Sequence, residues 1–215
     1  GHEREGIPMS NAWSPARGEV LVEAGPTGPA LEHGDAAADA GVPILLATTG
    51  FRAADQLRIE GWGEKVPLVV APNLSLGVNL MLDLVRRASK ALESYDLEIL
   101  ELHHRRKRDA PSGTAIALAR AAADGRGQTD FERRAVYARA GDIGPRSDEE
   151  IGMMALRGGD IIGEHTVFLV GETERVELTH RAAHRDAFAH GALVAARFLE
   201  RSAPGCYRMA DVLGL

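Results

Sequence analysis

The sequence predicts a two-domain α/β protein, in which a parallel-sheet domain is followed by an α+β domain with a mixed sheet. Three observations carry this. The runs "VPILLATTGF" (42–51) and "VPLVVAPN" (66–73) are continuously apolar, as strands covered on both faces by helices are. Helical segments separate them, giving strand, helix, strand, helix, strand between residues 19 and 73. Beyond "APNLSLGVN" the alternation stops, and a long helix is followed by strands that keep one face wet.

In chain order, "EVLVEAG" (19–25) is a short strand that runs into the turn "GPTGP". "ALEHGDAAADAG" (30–41) reads as a helix closed by Gly41, and residues 52–64 as a second helix. The two buried strands end in small or polar residues: Thr48, Thr49 and Gly50 after one, Pro72 and Asn73 after the other. Ligands of open, Rossmann-type α/β sheets bind at the carboxyl ends of strands, which makes these tips candidate cofactor contacts. "LMLDLVRRASKALES" (80–94) has helical periodicity, and "DLEILELHH" (96–104) alternates like a half-wet strand. Residues 114–124 suit a helix stopped by Gly125. "EEIGMMALRGG" (149–159), "GEHTVFLVG" (163–171) and "ERVELTHRA" (174–182) read as strands of an antiparallel or mixed sheet. "AFAHGALVAARFLE" (187–200) is an amphipathic helix, and the tail "CYRMADVLGL" is expected to dock back on the first domain. The expected domains are 1–73, completed by 200–215, and 74–199, with a hinge near 71–77.

Composition narrows the function. The 215 residues are 45% hydrophobic and 26% charged, which is ordinary for a soluble globular protein. No stretch reaches the roughly 18 apolar residues a membrane span needs, and the start lacks the layout of a secretory signal. A single cysteine, Cys206, cannot form an internal disulfide, so a reducing cytoplasm is the expected location. A net charge of −6 argues against nucleic acid or an anionic membrane as the main partner.

Against that acidic background, "ELHHRRKRDAPSGTA" (101–115) is anomalous. Two histidines, His103 and His104, precede four consecutive cations, Arg105 to Arg108. Ser112, Gly113 and Thr114 then open an alanine-rich helix, with Ser112 in N-cap position. Free N–H groups at a helix start and the helix dipole attract anions. With Arg105, Lys107 and the histidines upstream, the stretch predicts a pocket for a small dicarboxylate. It does not predict a nucleic-acid groove, because no aromatic residues are interleaved for base stacking. From spacing alone, a solvated basic turn ahead of an ordinary capped helix reads the same stretch equally well. No metal is expected: adjacent histidines on a strand point to opposite faces and chelate poorly. An acid–base histidine is the better reading, since imidazole titrates near neutrality. His165 and His180, inside strands, are expected to be packed structural residues.

The stretch closely resembles the signature of the dihydrodipicolinate reductases of lysine (diaminopimelate) biosynthesis. "ATTGF" (47–51), "APNLSLGVNLM" (71–81), "RGGDIIGEHTVFL" (157–169) and "ERVELTH" (174–180) resemble that family's other characteristic segments, in the same order. The resemblance covers nearly the whole chain from residue 19. It implies an oxidoreductase using NADPH or NADH, which delivers hydride to 4-hydroxy-tetrahydrodipicolinate with loss of water. It makes His103 and Lys107 the proton donors and His104 a substrate contact. Ser112, Gly113 and Thr114 would hold a substrate carboxylate. Ala47, Thr48, Thr49, Ala71, Pro72 and Asn73 would line the nicotinamide side. A homotetramer built through the second domain's sheet is also implied, with "IGMMAL" (151–156) and "HTVFLV" (165–170) as apolar strands suited to it.

The chain also departs from the family pattern. A Rossmann domain carries a glycine loop, G-x-G-x-x-G or this family's G-x-x-G-x-x-G, at its first strand–helix turn, and none occurs here. "GHEREG" resembles the end of the family's second strand, which would set Glu3 at the adenosine ribose and Arg4 near a 2′-phosphate. On that alignment the loop would precede Gly1, and the chain as given would lack its first β-α unit. "VEAGPTG" and Ala47 depart from the expected strand ends as well. Two other readings stay open. One is a non-catalytic dicarboxylate-binding or assembly protein derived from the family. The other, the weakest, is a nucleic-acid module using Arg105 to Arg108.

Overall fold

The computed structural model describes residues 19–215, together with the backbone of two short paired antiparallel strands, β1 (His2–Arg4) and β2 (Ile7–Met9). The chain forms two compact units, residues 1–74 with 190–214, and residues 75–189.

The first unit is built on a parallel sheet. Its strands are β3 (Leu21–Glu23), β4 (Ile44–Leu46), β5 (Pro67–Val70) and β11 (Gly205–Arg208), in the order β11-β5-β4-β3. Helices α1 (Thr27–Asp39) and α2 (Ala53–Gly63) connect the first three strands. All three residues of β4 are buried, as its unbroken apolar run requires. The tail reaches the sheet as β11, which runs parallel to β5 with Cys206 opposite Leu68. Helix α1 begins three residues before the start expected from sequence. Pro29 falls in its first turn, where backbone N–H groups have no helical acceptor and a proline costs little. The two helices approach closely at Gly34, where a Cβ would lie 2.2 Å from the Trp62 ring. Trp62 Nε1 donates to Asp35 Oδ1 across the same contact, at 2.8 Å. Helix α6 (Asp186–Leu199) and the short α7 (Met209–Leu213) complete the C-terminal part.

The second unit has α3 (Leu76–Ala91), β6 (Asp96–His103), α4 (Gly113–Gly125), α5 (Phe131–Arg134), β7 (Ala135–Val136), β8 (Ile151–Arg157), β9 (Glu164–Val170) and β10 (Arg175–Arg181). The sheet order is β10-β9-β6-β8-β7; β6, β8 and β7 run parallel, and β9 is antiparallel to both neighbours. Helices α3 and α4 cover one face. Met81 and Val85 of α3 and Leu118 and Ala122 of α4 pack on Leu97, Ile99, Ile151, Met153, Val167 and Leu169. Fully burying one such large side chain contributes about 1.5–3 kcal/mol. The helices meet at Gly125, where a Cβ would lie 2.2 Å from the Arg86 carbonyl oxygen. Helix α3 starts four residues before the expected position because Ser75 caps it, accepting from Val78 N at 3.3 Å.

Strand β6 decides where the chemistry sits. Its pleat puts Leu97, Ile99, Glu101 and His103 on the helix-covered face and Asp96, Glu98, Leu100 and Leu102 on the other. The buried face is therefore apolar at one end and ionisable at the other, next to the start of α4.

Candidate active site

Glu101 is the centre of this region. It is 0% exposed and its carboxylate accepts four hydrogen bonds. Arg157 donates to both oxygens, at 2.8 and 2.7 Å. Ser112 N donates to Oε1 at 3.0 Å, and His103 Nδ1 lies 2.5 Å from Oε2. Burial alone would raise the Glu101 carboxyl, but Arg157 and His103 outweigh it and hold the group below the usual carboxylate range.

His103 is nearly buried. Burial pulls its imidazole below the ordinary value, and the Lys107 and Arg157 charges add to that, against the opposing pull of Glu101. Its Nε2 side faces Gly163, where a Cβ would stand 3.0 Å from that nitrogen. The ring meets His165 edge-on, with centroids 5.2 Å apart. His165 is 4% exposed and is pushed down to about 4, chiefly by burial, so it is neutral at physiological pH. Its Nε2 lies 3.0 Å from Ser112 Oγ.

Ser112 caps α4 as its sequence position predicts, accepting from Ala115 N at 3.2 Å. Its hydroxyl and its N–H are thus both engaged inside the protein. Gly113 and Thr114 follow at the open end of the helix, and a Cβ on Gly113 would meet nothing within 4 Å. In the turn between β6 and α4, Lys107 Nζ lies 2.9 and 2.8 Å from the two Asp109 oxygens. That contact holds the Asp109 carboxyl below the usual range. His104 keeps a buried Nδ1 that meets no hydrogen-bond partner among the described residues.

The structure joins His103 and Ser112 through Glu101 and His165, sets Lys107 in the turn between them, and leaves His104, Gly113 and Thr114 as their chain neighbours. The rest of the cationic run is not gathered there. Arg106 pairs with Asp160 at 2.8 Å, and Arg105 and Arg108 are exposed. Three participants escape the sequence reading, namely Glu101, Arg157 and His165. Spacing holds a signal for the first, since Glu-x-His on a strand places both side chains on one face. Arg157 carries none locally, being the cross-strand partner of His103 from β8.

In the first unit, Ala47, Thr48 and Thr49 follow β4, and Ala71, Pro72 and Asn73 follow β5. Ala47 N donates to Glu23 O at 2.7 Å and Ala71 N to Leu46 O at 2.8 Å, extending the ladder past the strand ends. Thr48 Oγ1 donates to Gly25 O at 2.9 Å. Glu23, at the tip of β3, is engaged by Gly25 N and His33 Nδ1, each at 2.6 Å. Gly50 takes φ +86 with open space around it. Small side chains thus follow the carboxyl ends of β4 and β5, the edge at which ligands of parallel sheets bind. Glu3 and Arg4 lie on β1, and their side chains fall outside the described residues. Among the described residues no cluster of three His, Cys, Asp or Glu could hold a metal, and no helix is long and apolar enough to cross a membrane.

Comparison with known proteins decides the family. The family described as "Dihydrodipicolinate reductase, C-terminus" matches residues 77–213. The chain belongs to the dihydrodipicolinate reductase family. A 4-hydroxy-tetrahydrodipicolinate reductase of Anaeromyxobacter dehalogenans (strain 2CP-C) is 49% identical over 186 residues, 86% of this chain and 68% of that protein. One of the same name from Rubrobacter xylanophilus is 49% identical over 214 residues, 99% of this chain and 80% of the relative. Among solved structures, the dipicolinate-bound dihydrodipicolinate reductase of Paenisporosarcina sp. TG-14 shares the fold of the family member described here. Its TM-score is 0.72 at 24% identity, covering 90% of this chain and 72% of the other.

Proposed function

We infer that this protein is an oxidoreductase that reduces 4-hydroxy-tetrahydrodipicolinate to tetrahydrodipicolinate, with release of water, in the diaminopimelate and lysine pathway. The observation that carries this is the family's histidine–lysine and Ser-Gly-Thr motif, whose His103 and Ser112 meet at Glu101, in a chain 49% identical to reductases of that name. A nicotinamide nucleotide, NADPH or NADH, supplies the hydride. Every other task falls to the chain's own residues.

Gly113 and Thr114 bind one ring carboxylate at the start of α4, where backbone N–H groups and the helix dipole favour an anion. Ser112 serves them indirectly by fixing the first turn, since its own polar atoms are engaged. His104 contacts the substrate, and its buried Nδ1, which meets no hydrogen-bond partner among the described residues, supports that role. His103 and Lys107 carry the proton that the ring accepts after hydride addition. Ala47, Thr48, Thr49, Ala71, Pro72 and Asn73 line the nicotinamide side, while Glu3 and Arg4 serve the adenosine end.

The first unit is thus the nucleotide-binding part and the second the substrate-binding and assembly part. The sheet face away from α3 and α4 carries Leu100, Leu102, Met154, Leu156 and Phe168, with Leu156 47% exposed. This face supports a homotetramer built through the second unit, and the reducing cytoplasm suits the lone cysteine.

The test follows nucleotide absorbance in a coupled assay that generates the unstable substrate in situ, using the full-length protein. Turnover is expected with NADPH or NADH. Absence of turnover with both, from protein that binds pyridine-2,6-dicarboxylate, would overturn the reading.

A further inference from the structure

We propose that Arg157 and Glu101 form a positioning pair that registers both proton-carrying side chains of the site and fixes the tautomer of His103. The inference rests on the reading of His103 and Lys107 as proton donors. It adds two residues that act through those donors.

Hydrogen-bond capacity decides the tautomer. An ionised carboxylate only accepts, so the nitrogen 2.5 Å from Glu101 Oε2, His103 Nδ1, must carry a proton. Neutral His103 is then the Nδ1–H form, and any proton it gives up or takes toward a substrate moves at Nε2. Nε2 is the nitrogen turned toward Gly163, the position without a side chain. Glu101 cannot swing away, because Arg157 grips both oxygens and Ser112 N holds one of them. The planar guanidinium fork gives this grip a geometry that a lysine cannot reproduce.

The same guanidinium also reaches the residue that holds the second donor. Arg157 Nη2 also donates to the Asp109 carbonyl oxygen at 2.8 Å, and the Asp109 carboxylate holds Lys107 Nζ. One side chain therefore sets His103 through Glu101 and Lys107 through Asp109. Four groups face His103: Glu101 from its own strand, Arg157 from β8, Lys107 from the following turn and His165 from β9. Glu101 is the anion among them, so removing its charge leaves cations that oppose protonation of His103.

The test has two readouts on the full-length protein. Long-range proton–nitrogen NMR of histidine-labelled wild type is expected to show neutral His103 as the Nδ1–H tautomer; the Nε2–H tautomer would overturn the proposal without any variant. In the coupled assay, Glu101→Gln should lower kcat about tenfold or more with KM changed less than about threefold. The limb on which its activity falls with rising pH should move to lower pH. Arg157→Lys should lose comparable turnover although its charge is kept. Coincident pH profiles for wild type and Glu101→Gln would also overturn it. Absence of turnover in wild type would instead strike at the functional reading, and the tautomer measurement would still judge the positioning pair.

Discussion

Acidifying the protein from pH 7.5 to pH 5 probes the buried imidazole of His165. Its folded-state value is about 4, set mainly by burial, against an ordinary value of 6.5. The folded state thus resists a proton that the unfolded chain accepts. Stability contributed by neutral His165 is complete above 6.5 and falls as the pH drops toward 4. At pH 5 the medium lies about 1.5 units below the unfolded value, and each unit is worth about 1.4 kcal/mol, so the loss is about 2 kcal/mol. That is a substantial part of the 5–15 kcal/mol by which domains are commonly stable. His165→Gln keeps an amide near Ser112 Oγ and does not titrate. His103 and His180, also lowered by burial, are present in both proteins. Urea unfolding followed by hydrogen exchange over residues 164–170 should show wild type losing about 2 kcal/mol more than the variant between the two pH values. Equal losses would refute the burial argument.

Other substitutions test the packing around the site. Gly163→Ala places a methyl 3.0 Å from His103 Nε2, so turnover should fall by about tenfold or more, while the melting temperature stays near wild type. Ser112→Ala removes the α4 cap, about 1 kcal/mol, and the partner of His165 Nε2, about 1–3 kcal/mol more; denaturant unfolding should show a loss of about 2–4 kcal/mol. Gly125→Ala drives a methyl into the Arg86 carbonyl and forces α3 and α4 apart, and calorimetry should record a loss of about 1–3 kcal/mol.

Much of the fold is legible because local pattern and burial agree. The runs around β4 and β5 are apolar throughout and lie inside a covered parallel sheet. The alternation of residues 96–104 is that of β6. What the pattern does not show is that its covered face ends in Glu101 and His103. An acidic residue in an alternating strand reads as a solvent-facing one until its partner is known, and Arg157 lies 56 residues away in sequence. Strand β7, two residues long, is too short to leave a period. The cationic run misleads in the other direction. Its clustering in sequence suggests convergence, yet Asp160 engages Arg106 and Asp109 engages Lys107, so two of the four cations are held by separate carboxylates. His165 reads as a packed residue, and it is packed, but against the imidazole and the cap that build the site.

The central claim is that the start of α4 and the His103–Lys107 turn receive a two-acid ring. Titration of isotope-labelled full-length protein with pyridine-2,6-dicarboxylate, followed by backbone and histidine NMR, tests it most directly. The largest shifts are expected at His103, His104, Lys107, Gly113 and Thr114, with their loss in Lys107→Ala at the same ligand concentration. Saturable shifts confined to other residues, with Gly113 and Thr114 unmoved, would contradict it.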